Sequence, residues 1–429
     1  MQKIENVRIV TGGEVVDGTL VIDNGIIQNI EPATGACTQL LLPGCVDAHV
    51  HFREPGLTQK ADIASESRAA AAGGVTTVLD MPNVKPTTTT PEALAEKHRL
   101  FQEKCVVNYG LWYGITADNI DEAINLYGRP DAPFRDQICG FKIFLGSSTG
   151  GMLMNDKEKL RQLFGSTQRV IGIHSESEDV IRRNREKYQA LYGDDPAIEF
   201  HPKIRDVEAC MQTTRMAVEL ALETGAQLHV CHVTTADELA YLEEQCTAAN
   251  GRLSAEISPV HLTFSQEDYR RLGTRIKCNP AIKRIQDRDA LRHVLGSDSP
   301  LFLSIGTDHA PHLLSDKQGG CLRAASGMPS IQFSLLSMLQ LVSEGYLTLP
   351  RMVELMSTHP AQRFGLTDRG EIAVGKRADL VLVDPNGSTT VTRDVILSKC
   401  GWSPFEGMTF SHRIVQTWVN GNEKLGVRN

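Results

Sequence analysis

Eight apolar, strand-like runs recur along the chain with helical stretches between them, at 46–52, 75–83, 106–115, 140–146, 170–177, 227–234, 252–262 and 301–312. Apolar runs alternating with helices mark parallel strands joined by crossover helices. Eight is the number that closes such a sheet, so the α/β pattern predicts a TIM-like (β/α)8 barrel. The helices fit its outer ring: ADIASESRAAAAGG (61–74) and VEACMQTTRMAVELALETG (207–225) carry apolar residues at three- and four-residue spacing and end in glycine, as C-caps do. The threonine run 87–90 before Pro91 reads as a loop, and a second loop is expected over 147–156.

The two ends have another texture. Polar and apolar residues alternate through Val7 to Ile9 and Thr19 to Ile30, and strand-like stretches separated by glycines return at 370–384 and 411–421. Both ends are therefore expected to share one small β-sandwich domain. This divides the 429 residues into 1–45 and 366–429 for the small domain and 46–365 for the barrel.

Composition narrows the function. The net charge of −8 argues against a nucleic-acid surface, and no apolar run approaches the length that spans a bilayer. A small-molecule substrate is the expected partner. The ten cysteines occur singly with no C-x-x-C pair, so neither a zinc ribbon nor a disulfide framework is suggested. The first residues lack the features of a secretory signal, giving a cytoplasmic expectation. A homo-oligomer, with a dimer favoured, is the expected assembly.

Polar residues near the ends of the apolar runs mark the chemistry, because barrel enzymes place their active sites at strand ends. His49 and His51 in DAHVHF are two apart in a strand, so both imidazoles share one face and can grip one metal ion. Lys142 interrupts the apolar run FKIFLG, His174 and His232 follow on the fifth and sixth runs, and Asp308 lies in GTDHAPH at the end of the eighth. Alone, each has a bland alternative: a satisfied core histidine, a lysine reaching solvent, an aspartate capping a turn. Their conjunction is far more specific.

This distribution resembles the amidohydrolase superfamily, and the resemblance covers essentially the whole chain, including ADLVLVD near its C-terminus. It implies two zinc ions per subunit, one held by His49 and His51, the other by His174 and His232, with Asp308 as a further ligand and the catalytic acid–base. Lys142 would bridge the metals together with a hydroxide, once carbon dioxide has converted its amine to a carbamate (N6-carboxylysine). An ammonium has no lone pair to offer, whereas a carbamate has two oxygens. HFREPG (51–56) and MPN (81–83) further resemble the dihydroorotase family, in which the matching arginine and asparagine hold a ring carboxylate. On that resemblance Arg53, Asn83, Asn279 of KCNPAIK and His312 of DHAPH bind substrate, with Ser326 and Gly327 of AASG adding backbone contacts. Two strings depart from the pattern: AASG stands where A-P-F-G is usual, and FKIFLGSSTGG where some members have an F-S-D-D-G-like segment with a bridging aspartate. The implied activity is the reversible cyclisation of N-carbamoyl-L-aspartate to L-dihydroorotate in pyrimidine synthesis. Allantoinase or a hydantoinase/dihydropyrimidinase type is the alternative, and a metal-free, non-catalytic relative a more distant one.

Overall fold

The computed structural model describes residues 1–146, 151–154 and 156–424. Of the expected loop 147–156, residues 147–150 and 155 lie outside the described residues. The chain opens with β1 (Gln2–Thr11), β2 (Glu14–Asp23), β3 (Ile26–Pro32) and β4 (Leu40–Pro43). The eight expected barrel strands follow as β5 (Cys45–Val50), β6 (Val75–Asp80), β7 (Asn108–Gly114), β8 (Gly140–Phe144), β9 (Val170–His174), β10 (Gln227–Val230), β11 (Leu253–Ile257) and β12 (Phe302–Ile305). They pair in sequence order and in parallel. A bridge between Val50 and His309 brings the first and last strands together. Every residue of β5, β6, β8, β9 and β11 is buried, as expected for parallel strands covered on both faces.

Local sequence explains where the helices begin and end. Helix α1 (Ile63–Ala72) starts at a capping box: Asp62 accepts from the Ser65 amide at 2.8 Å, and the Ser65 hydroxyl accepts from the Asp62 amide at 3.3 Å. It stops at Gly73, where a Cβ would lie 2.6 Å from the Gln332 carbonyl. The threonine run 87–90 is a loop that ends by capping helix Pro91–Lys104, with Thr90 accepting from the Ala93 amide. Inside the barrel, the fully buried Trp112 donates to the Ala48 carbonyl at 3.0 Å. A Cβ at Gly140 on β8 or Gly172 on β9 would meet the Trp112 ring at 2.7 or 2.8 Å, so glycine at both positions leaves room for it.

The ends do join in one β domain. After the barrel come β13 (Leu380–Asp384), β14 (Thr389–Thr390), β15 (Thr409–Phe410), β16 (Arg413–Val419) and β17 (Asn422–Glu423). One seven-stranded sheet runs β17-β16-β13-β4-β1-β2-β3, while β14 and β15 form a separate pair. Ile9, Leu20, Ile27, Leu41 and Leu380 pack into a core of its own. Of the strand-like stretch 370–384, only Leu380–Asp384 is extended; Gly370 and Gly375 take φ of 87° and 88° and turn the chain before it. All ten cysteines are free. Among the described residues no helix is long and apolar enough to cross a membrane.

Candidate active site

The polar residues expected to act together do converge. His49, His51, Arg53, Asn83, Lys142, His174, His232, Asn279, Asp308, His312, Ser326 and Gly327 all line one cavity of about 1120 Å³. It lies at the C-terminal ends of the barrel strands: His49 is in β5, His174 closes β9, and His232 and Asp308 lie just beyond β10 and β12. Arg53, His232 and Asp308 take left-handed backbone conformations, with φ of 68°, 38° and 48°. Such strain in residues bearing a Cβ collects where a side chain must be aimed.

The imidazoles form a continuous chain. Ring centroids are 5.4 Å apart for His49 and His51, 5.2 Å for His49 and His232, and 4.7 Å for His174 and His232. Asp308 Oδ1 lies 3.0 Å from His51 Nε2 and 3.4 Å from His49 Nε2. His174 Nδ1 faces His232 Nε2 at 3.0 Å. Burial alone would raise the Asp308 carboxyl; the charge of His49 and the hydrogen bond from His51 outweigh it and hold the group well below the usual range. Burial pulls His51 down to about 3.

The carboxylates behind these histidines are not singled out by the sequence. His49 Nδ1 is hydrogen-bonded to the buried Glu256, which also takes the His229 ring at 3.1 Å and the His232 amide at 3.2 Å. Glu176 accepts from His174 Nε2 at 2.9 Å and pairs with Arg205. Asp47 accepts from Thr307 through the amide (3.0 Å) and the hydroxyl (2.6 Å). The available signal was an acid inside an apolar run, as in RLSAEIS.

These carboxylates decide whether the site suits a metal ion. In the neutral form that a metal ion requires, with Glu256 and Glu176 taking one ring N–H each, His49 keeps a lone pair on Nε2 and His174 one on Nδ1. His49, His51 and Asp308 bring ligand atoms within 4.8 Å of one another, and the buried Nδ1 of His232 has no hydrogen-bond partner. Imidazole nitrogens with a carboxylate are a donor set for a divalent ion of zinc's kind. The residues fit the group.

Lys142 is completely buried, its Nζ 3.0 Å from Cys231 Sγ and 5.3 Å from the centre of the Phe144 ring, and no carboxylate among the described residues pairs with it. In the same cavity Arg53 Nε donates to the Pro311 carbonyl at 3.0 Å, and Arg53 Nη2 lies 3.0 Å from His312 Nε2. Lys60, not singled out from the sequence, brings its Nζ within 3.1 Å of His312 Nδ1. Gly327, at φ 133°, packs where a Cβ would lie 2.6 Å from the Ala310 carbonyl and 3.0 Å from the His312 ring.

Known proteins resemble this chain over most of its length. Residues 40–424 match the amidohydrolase family, and the chain belongs to that family. It is therefore an enzyme, a hydrolase. Among curated relatives, a dihydroorotase of Methanosarcina mazei is 32% identical over 424 residues, covering 94% of this chain and 90% of that protein. An allantoinase of Bacillus velezensis is 32% identical over 415 residues, covering 95% and 88%. The solved L-hydantoinase of Arthrobacter aurescens superposes with a TM-score of 0.89 at 26% identity, covering 98% of this chain and 95% of that one.

Proposed function

We propose that this cyclic amidohydrolase is a dihydroorotase, interconverting N-carbamoyl-L-aspartate and L-dihydroorotate. One observation carries the choice: Arg53 and Lys60 both point donors at His312, one at each ring nitrogen. A neutral imidazole accepts at only one nitrogen, and the Asp316 carboxylate, 3.8 Å from His312 Nδ1, is ion-paired with neither cation among the described residues, so the two cations share few acceptors. An anion relieves that shortage, and arginine's planar fork suits a carboxylate. Dihydroorotate carries a ring carboxylate; the rings of allantoin, hydantoin and dihydrouracil carry none. The test is turnover of dihydroorotate, allantoin and dihydrouracil in parallel by the purified, metal-loaded enzyme. Faster turnover of allantoin or dihydrouracil than of dihydroorotate would overturn the reading.

His49, His51, His174, His232, Asp308 and a carbamate on Lys142 would hold two zinc ions. When bound, the metal supplies Lewis acidity, making water more acidic and polarising the ring amide. Arg53, with Asn83, Asn279 and His312, would anchor the ring carboxylate so that the amide faces Asp308. Asp308, kept ionised by its histidine neighbours, takes the proton of the attacking water and returns it to the ring nitrogen as the C–N bond breaks. The backbone at Ser326 and Gly327 would close the far side of the ring.

The proton inventory yields a prediction. Ring closure consumes one proton, since a carboxylate and a neutral ureide become a neutral amide and water, so lower pH favours dihydroorotate by mass action. Hydrolysis would use Asp308, already ionised at neutral pH, together with water that a bound metal makes more acidic, with a pKa of ~7, whereas synthesis would use the protonated state of that pair. Initial hydrolysis rates are expected to rise, and synthesis rates to fall, from roughly pH 5.5 to 9.5. Parallel profiles in metal-loaded enzyme would show that Asp308 does not carry the proton.

A further inference from the structure

Asp308 stands in a backbone conformation disfavoured for any residue with a Cβ, at φ 48°. Its carboxylate stays aimed only if its neighbours hold the chain there. On one side Thr307 is fixed twice by Asp47. On the other, the His309 amide donates to the Thr307 hydroxyl at 3.1 Å, and the His309 carbonyl accepts from the His51 amide at 2.8 Å. The His309 ring is fixed as well. Its Nδ1 accepts from the amides of Ser330 (3.0 Å) and Ile331 (3.2 Å), which places the ring proton on Nε2, where it is donated to Glu66 at 2.8 Å.

Glu66 belongs to α1 and is wholly buried, a position that a carboxylate occupies only with its acceptor sites filled. Besides His309 it accepts from the hydroxyls of Ser65 (2.8 Å) and Ser398 (2.6 Å) and the Lys399 amide (3.0 Å). The same C-terminal segment reaches the site again through Trp402, whose indole donates to the His312 carbonyl at 2.7 Å. Two buried carboxylates from the first half of the chain thus grip the residues immediately before and after Asp308. One of them is itself anchored by residues near the C-terminus.

We infer that Glu66 is a positioning residue for Asp308, acting through His309, and that the segment from Ser398 to Trp402 completes the active site by holding Glu66 and His312 in place. The inference rests on the proton-carrying role proposed for Asp308. Glu66→Gln preserves volume while removing the charge and placing an N–H against other donors. In metal-loaded enzyme it is expected to lower kcat by about ten- to a hundred-fold, with KM for dihydroorotate within about two-fold and metal content unchanged. In a His309→Asn background the same change is expected to cost less than about two-fold more, because the two residues act in series. A purely structural Glu66 would lower thermal stability and leave kcat of the folded enzyme intact. Unchanged kcat, or losses that multiply independently of His309→Asn, would overturn the inference. If Glu66→Gln does not fold, Ser398→Ala removes one anchoring donor: a several-fold fall in kcat at constant KM supports the inference, and an unchanged kcat overturns it. Full turnover by Asp308→Asn would bring down the proposed role of Asp308; a dead Asp308→Asn beside a fully active Glu66→Gln would bring down this inference alone.

Discussion

Lys142→Ala is expected to lose most bound metal and most turnover, and short carboxylic acids in the buffer are expected to restore part of both. Lys142 is fully buried in the middle of β8, yet among the described residues its nitrogen meets a thiol sulfur and a ring face, poor company for an ammonium ion. Addition of its amine to carbon dioxide would form a new N–C bond, release one proton, and leave an anion with two oxygens. Alanine would remove that anion and leave a void that a small carboxylate can enter. Metal analysis with kinetics, before and after adding acetate or propionate, measures the effect, and mass spectrometry of the native protein reports the carbamate. An alanine variant with full metal and full rate would remove Lys142 from the site.

Arg53→Met should act on a different quantity. Burial draws the Arg53 guanidinium down to about 10, so it remains a cation at neutral pH. It lines the same cavity as Lys142, and its hydrogen bonds go to the Pro311 carbonyl and His312 rather than to a proposed metal ligand. Methionine should therefore spare metal content while lowering kcat/KM for dihydroorotate by roughly two to three powers of ten, about 3 to 4 kcal/mol. Neutral rings such as dihydrouracil should lose much less. Equal losses on charged and neutral substrates would show that Arg53 holds the fold of the loop rather than the carboxylate.

The barrel is legible in the sequence because its strands are buried on both faces, so each reads as one apolar block, and a histidine, lysine or aspartate breaking such a block stands out. HFREPG and DHAPH are legible differently, as strings that resemble the dihydroorotase family, and their Arg53 and His312 line the same cavity. The residues that aim those groups are harder to read. Glu66 occupies ASESR, a string indistinguishable from an exposed helix turn, and becomes meaningful only beside His309, 243 positions away, and Lys399, 333 away. Lys60 looks like an ordinary loop lysine until His312 is placed next to it. Glycines at 370 and 375 shorten a strand that composition alone extends to 370–384, because local turn geometry overrides the β-forming residues around them.

The terminal sheet also bears on how the protein is made. Strand β4 lies between β1 and β13, so Leu40–Pro43 stays an open edge until Leu380–Asp384 has been synthesised. Throughout that interval the nascent chain displays unpaired backbone from an apolar strand, a template for joining the wrong neighbour. Pairing across such a span of sequence is slow to find. A ribosome that stalls late in the message would therefore release a polypeptide with every barrel strand present and its first sheet still unfinished, a natural client for chaperones.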